Sequence, residues 1–150
     1  GITLVIPTSL SIRDTVTTQR FVVTGTPRPQ GSKSFVRGRI VEASKYVSKW
    51  RRDVASVASH VYSEPTESPV TVELVFTFSR PKSHVKSDGS LRNGFSEHHI
   101  QRPDVDKLSR AILDALTGIA YRYDSQVVSL SAAKRWGEGD GVEVVTSTIL

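Results

Sequence analysis

Along Val70–Ser79 apolar and polar residues alternate, with Val70, Val72, Leu74, Phe76 and Phe78 on one side. That is the period-two pattern of a strand with one face against a core. Gln19–Thr24 alternates over β-branched residues and predicts a first strand, and Phe35–Val41 predicts a short second one between Gly31 and Gly38. The period then changes. Val47, Trp50, Val54, Val57 and Val61 recur at spacings of three and four, so they share one face of a helix. Ser44 is available as its N-cap, Pro65 and Pro69 bracket its end, and Trp50 belongs to the buried seam. Leu108, Ala111, Ile112, Ala115 and Leu116 form the apolar stripe of a second helix, which Gly118 is placed to end. Gln126–Trp136 reads as a strand with Val128, Leu130 and Ala132 on one face. The Gly137-Glu138-Gly139-Asp140-Gly141 turn then leads into Val142–Leu150, which predicts a C-terminal β-hairpin. The class this implies is α+β, with a mixed β-sheet and two main helices.

One stretch has no period. Arg80–Arg102 is polar, contains Gly89 and Gly94, and is longer than the roughly 12–15 residues that compact domains usually leave as loop. It is expected to be a mobile loop that orders on a ligand, with His98 and His99 as surface histidines. A chain of 150 residues holds one core rather than two, so a single domain over residues 19–150 is expected. Residues 1–18 form an N-terminal arm whose order the sequence leaves open.

Charge narrows the choice of partner. The net charge is +5, and between Arg28 and Arg52 eight Lys or Arg residues face the single Glu42. A segregated basic stretch of this kind is a footprint for phosphates, although a merely soluble basic surface explains charge alone equally well. The absence of cysteine rules out a disulfide framework and a thiolate zinc site. No apolar run reaches the ~18–20 residues needed to cross a bilayer, and Gly1–Ile12 lacks the basic start of a signal peptide. A soluble protein acting inside the cell, without a membrane partner, is the expectation.

The densest chemistry lies in Arg102-Pro103-Asp104-Val105-Asp106-Lys107, followed by the second helix and then by Tyr123-Asp124-Ser125-Gln126. Pro103 forbids a helix continuing from upstream, so Asp104 stands where a helix can begin. Asp104, Asp106 and Asp124 are expected to meet at a strand–helix junction. Like charges held together raise each other's pKa unless a cation lies between them, and hard carboxylate oxygens suit Mg²⁺, with Mn²⁺ as a possible substitute. Taken alone, Asp-x-Asp reads more readily as an N-cap and a first-turn acid favoured by the helix dipole.

The pattern resembles the RusA family of Holliday junction resolvases. The likeness rests on Pro103-Asp104-Val105-Asp106, Asp114-Ala115-Leu116-Thr117-Gly118 and Asp124-Ser125-Gln126-Val127, and upstream on Gly25–Lys33 and Ser79–His84. It covers roughly residues 20–149. Three positions depart from the family pattern: Lys107 replaces an Asn, Arg110 replaces a helical Lys, and Tyr123 replaces the first acid of a doublet. The resemblance implies an endodeoxyribonuclease that nicks branched DNA with Mg²⁺, in the cytoplasm of a bacterial cell or a phage-infected host, and that works as a homodimer. Asp104, Asp106 and Asp124 would be its metal ligands and Arg110 a phosphate clamp. Arg28, Lys33, Lys45, Lys49, Arg51, Arg52, Lys82, Lys86 and Lys107 would contact the DNA backbone. Rival readings are a nuclease preferring forks, flaps or single strands, and a non-catalytic binder of branched DNA in which the acids are caps and ion pairs. Asp114 reads as a helix-surface acid, Gln126 as a strand-edge hydrogen bonder or a phosphate contact, and Trp136 and Tyr121 as core residues or base-stacking platforms.

Overall fold

The computed structural model describes residues 16–31, 33–36, 39–42 and 44–149, with side chains described for 16–31 and 45–149. The side chains of Lys33 and Ser44, and residues 1–15 of the expected arm, lie outside the described residues. In chain order the elements are β1 (Val16–Thr24), β2 (Lys33–Val36), β3 (Arg39–Glu42), α1 (Ser44–Ala58), β4 (Val70–Ser79), α2 (Val105–Leu116), β5 (Val127–Gly137) and β6 (Gly141–Ile149). The class is α+β, as the pattern predicts. β1 begins three residues earlier than expected. The single strand expected over Phe35–Val41 is two strands, β2 and β3, which pair antiparallel with Val36 opposite Arg39.

The main sheet has the order β1-β6-β4-β5. β6 runs antiparallel to both β1 and β4, while β5 runs parallel to β4, so the sheet is mixed. The C-terminal hairpin is split. Its two strands are antiparallel and joined by a short turn, but β4 lies between them. The turn passes over the end of β4, where the Asp140 carboxylate accepts the Ser79 N–H at 2.7 Å and the Thr26 hydroxyl at 2.7 Å. Gly139 supplies the positive φ of 77° that this turn needs.

Alternation decides the two faces of the sheet. Phe21, Val144, Leu74 and Ala132 lie side by side across the four strands. With their neighbours Val23, Val142, Val72 and Phe76 they pack under both helices in one core. α2 contributes Leu108, Ala111, Ile112, Ala115 and Leu116, the predicted stripe, and α1 contributes Val47, Trp50 and Val54 as predicted, with Ala58 buried beside a half-buried Val57 and the helix ending before Val61. Each fully buried aliphatic or aromatic side chain here contributes roughly 1.5–3 kcal/mol, which holds α2 on the sheet and fixes where its first turn sits. The other face is open: Val22 is exposed, and Arg20 pairs with Glu143 across it at 2.7 Å. Among the described residues no helix is long and apolar enough to cross a membrane.

Candidate active site

α2 begins at Asp104. Its backbone is extended (φ −73°, ψ 141°), and its carbonyl accepts the Leu108 N–H at 3.0 Å, which places it at the N-cap. An aspartate there normally turns its carboxylate onto the first-turn amides. Asp104 does not, since its side chain makes no capping hydrogen bond. Its nearest cation is Lys107, with Nζ 3.9 Å from Oδ2 and both groups solvated, a separation worth little. Asp106, one residue into the helix, accepts the Lys107 N–H at 2.9 Å through Oδ1. Both acids are exposed. Two carboxylates with uncommitted oxygens, at the positive end of a helix dipole and open to water, form an all-oxygen donor set of the kind that suits a hydrated divalent cation.

Lys134 fixes the approach to this turn. It projects from β5 onto the helix side of the sheet and donates to the carbonyls of Gln101 and Pro103, the latter at 2.8 Å, tying the chain on both sides of the cis Arg102–Pro103 bond. Burial holds its ammonium below the usual lysine range, while the Asp104 carboxylate acts in the opposite direction. Sequence reasoning missed this residue. The signal was present, because Lys134 continues the alternation through Ala132 and lies opposite the buried Phe76 of β4, where a lysine needs a partner.

The basic stretch reaches the same turn. The Gln30 N–H donates to the Lys107 carbonyl at 2.9 Å, and the Gln30 side chain accepts from the Arg51 guanidinium, so Arg51 on α1 is linked to the first turn of α2. Arg28 and Lys45 sit over the Tyr46 ring at 5.2 and 5.0 Å, and Lys49 pairs with Asp53 at 2.9 Å. Arg52, Lys82, Lys86 and Lys107 are exposed. Arg110, one turn beyond Asp106, is exposed and makes no ion pair with Asp106 or Asp114 among the described residues.

Arg80–Arg102 differs from the mobile loop expected. It is folded locally by a 3-10 turn at Lys82–His84, a bridge between Val85 and Leu91, and an Asp88 carboxylate that accepts the Ser90 N–H at 2.9 Å. It is pinned to the sheet through Trp136. His99 stacks on that indole at 4.0 Å, the Arg80 guanidinium lies 5.0 Å from its centre, and the indole N–H donates to the His98 carbonyl at 3.3 Å. His84 is also buried and stacks on Phe95. The hydrophobic period vanishes here because imidazoles take the place of aliphatic residues. His99 is therefore not the surface histidine expected, whereas His98 is exposed. Trp136, enclosed by these partners, does not present itself as a stacking platform.

His99 has a consequence for stability. Burial, helped by Lys134 and Arg80, holds its pKa below the ordinary histidine value, and its Nδ1 has no hydrogen-bond partner among the described residues. The unfolded chain, titrating at about 6.5, then binds the proton more readily than the folded one, so stability is complete above that pH and falls as the pH drops below it. The urea midpoint is expected to decline between about pH 7 and pH 5, and His99→Phe, which keeps the stack, should flatten that decline.

Asp124 is placed differently. It opens the 3-10 turn Asp124–Gln126 just before β5. Gln126 anchors that turn by donating to the carbonyls of Thr66 and Ser68 at 3.0 and 2.9 Å, a structural task. Tyr121 is buried with its hydroxyl on the Leu113 carbonyl, and burial, with the Asp124 and Asp114 charges, pushes its pKa up. Asp114 is exposed. All of these groups lie at the far end of α2, whose twelve residues span about 18 Å. The sheet gives the same measure: Pro103 is held by Lys134, seven residues along β5 from Val127, or roughly 23 Å of strand. One chain thus brings Asp104 and Asp106 together and leaves Asp124 apart. Among the described residues no three His, Asp or Glu side chains converge as an ion site.

Two comparisons bear on this arrangement. A family profile described as endodeoxyribonuclease RusA matches residues 21–146. The uncharacterized protein YqaN of Bacillus subtilis (strain 168) is 34% identical over 137 residues, covering 84% of this chain and 93% of the relative.

Proposed function

The chain belongs to the RusA endodeoxyribonuclease family, and from that premise we propose that it is a Mg²⁺-dependent, structure-selective nuclease that nicks four-way junctions or related branched DNA. The observation that carries this reading is Asp104, an aspartate at a helix N-cap whose carboxylate does not cap, beside the exposed Asp106. The rival in which these acids are only caps and ion pairs leaves Asp104 with nothing more than a solvated pair to Lys107 at 3.9 Å.

Asp104 and Asp106 would hold the ion from one side, and Asp124, apart from them in its own chain, would complete the set only from a second copy in the homodimer that the resemblance implies. A bound divalent ion supplies a water ionised near neutral pH and neutralises charge on the phosphate. The residues around it do the rest. The fold of Arg80–Arg102 and the Lys134 anchor fix the approach of Asp104, so the carboxylates are preorganised before DNA arrives. Arg110, exposed one turn along, would grip phosphate oxygens. Arg51, Arg52, Lys45, Lys49 and Arg28 on and before α1, together with the exposed Lys82, Lys86 and Lys107, would guide the DNA backbone. Its place of work would be the cytoplasm of a bacterial cell or a phage-infected host, where branched DNA arises.

Purified protein with Mg²⁺ should nick labelled four-way junctions faster than fork, flap, duplex or single-strand substrates, and EDTA should abolish the nicking. No cleavage of any of them would leave the non-catalytic binder standing. Binding without a divalent ion should weaken steeply with salt. Each phosphate contact contributes about 0.9 to the slope of log K against log salt, so replacing Lys49, Arg51 and Arg52 together should lower the slope by about 2–3. An unchanged slope would put the DNA on another face.

A further inference from the structure

The chain leading into the acids is fastened along its length. The carbonyls of Ser96, Glu97, His98, Gln101 and Pro103 all accept side-chain donors, from Arg80, Trp136 and Lys134. The His99 ring is buried, stacked on Trp136 at 4.0 Å and set edge-on to Phe78 at 4.8 Å. Ile100 lies in the middle of this run, between the buried His99 and the held Gln101, and it is 76% exposed, more than any other large apolar residue among the described residues. A lone isoleucine at a surface is ordinary. One whose neighbours on both sides are tied down cannot fold back onto the core, so the fold itself holds Ile100 out in water.

Beside Ile100 opens a cleft of about 170 Å³. Arg80, Phe95, His98 and Trp136 share its lining with Ile100, and no carboxylate does. The inner rings are already engaged, His84 on Phe95 and His99 on Trp136, so a guest meets their edges, the Arg80 guanidinium and the open side chains of Ile100 and His98. Exposed Arg92 and Arg102 stand on the same segment. Rings, a guanidinium and an apolar lip suit a flat π-system, and the flanking cations suit the anionic backbone that carries it. That guest is a nucleobase. Ile100 precedes Asp104 by four residues, so the two lie at most about 14 Å apart, or about four base steps along a strand whose phosphate is held at the acids.

We propose that this cleft takes one nucleobase displaced at the branch point, with Ile100 as the apolar wedge that enters the stack in its place. The proposal rests on the nuclease reading of the acids and deepens it, since it supplies a reason for cutting branched DNA over duplex. A base inside continuous duplex must be unstacked on both sides before it can leave, whereas one at a branch point has already lost part of its stacking, and displacement is cheapest where pairing is already weak.

Base displacement and cleavage are read separately. Four-way junctions carrying 2-aminopurine at each branch-point position in turn are bound in Ca²⁺, so that both the displaced base and its orphaned partner are sampled. The wild type should raise the fluorescence at one position or its pairing partner several-fold, and Ile100→Ser should leave it at the level of free junction. In Mg²⁺, Ile100→Ser should cut the intact junction on the order of 10–100-fold more slowly, the scale of losing one stacked base. It should recover most of the wild-type rate on a junction mismatched at the branch point, where the bases are already unpaired. Ile100→Phe should keep both the fluorescence rise and the rate. A structural defect in Ile100→Ser would not be repaired by changing the DNA, so failure of the mismatched junction to restore cutting would overturn the proposal. A fluorescence rise undiminished in Ile100→Ser would overturn it too. A wild type that displaces the base through Ile100 and nicks nothing in Mg²⁺ would refute the nuclease reading while retaining the base site; a wild type that nicks junctions with no displacement at any position would refute the base site and leave the nuclease standing.

Discussion

Asp106→Asn is expected to reduce junction cleavage by at least about 10³-fold, equivalent to about 4 kcal/mol of transition-state stabilisation, while junction binding stays equal or tightens. Two features make the substitution a clean probe. Asparagine keeps an oxygen where Asp106 Oδ1 accepts the Lys107 N–H, so the first turn of α2 retains that bond. The side chain is exposed, so no core packing changes. What is lost is one negative charge beside Asp104, which weakens the hold on a divalent ion and relieves repulsion of the phosphates. Asp104→Asn and Asp124→Asn should behave alike, and Asp114→Asn, an exposed residue at the other end of the helix, should keep most of the activity. Single-turnover cleavage with Mg²⁺, paired with affinity measured in Ca²⁺, separates the two quantities. Full nicking by folded Asp106→Asn would remove this acid from the chemistry.

The two helices and the main strands were legible because their burial is aliphatic and periodic. Val47, Trp50 and Val54 face the core where spacing put them, as do Leu108, Ile112 and Leu116. Sheet order was not legible, since alternation says which face a residue takes and nothing about which strand lies beside it. That is why β4 sits inside the C-terminal hairpin. Val128 and Leu130 show a related limit: apolar residues on an edge strand have the same pattern as apolar residues under a helix, and both are exposed here. The segment around His84 and His99 was unreadable because imidazole, indole and guanidinium packed on one another carry no hydrophobic period. At the candidate site Asp104 and Asp106 were found by spacing. Asp124 was found by resemblance, and its distance from them follows only from the direction α2 runs. Lys134 and Gln30 act through backbone carbonyls and side-chain amides, contacts that no motif records.

Arg110 is where the chain departs from its family's pattern, and its substitution has the second-largest expected effect. Arg110→Ala should lower single-turnover cleavage by about 10²–10³-fold, the scale of removing one preorganised electrostatic donor, with far less effect on affinity in Ca²⁺. Stability should not fall, because alanine is the strongest helix former and Arg110 gives up no ion pair with Asp106 or Asp114. Arg110→Lys should retain substantial turnover, since a compact ammonium on a flexible four-carbon stem still places one charge on the same face, although it gives up the planar fork that grips two oxygens at once. The other cations nearby are less free to take over. Lys134 is committed to the Gln101 and Pro103 carbonyls, and Arg51 to Gln30, so moving either would unfasten the turn that carries the acids. Lys107 is the exception, exposed and 3.9 Å from Asp104. If Arg110→Ala cuts at the wild-type rate, the charge that steadies the scissile phosphate belongs to Lys107, and Lys107→Ala should then show the loss assigned here to Arg110.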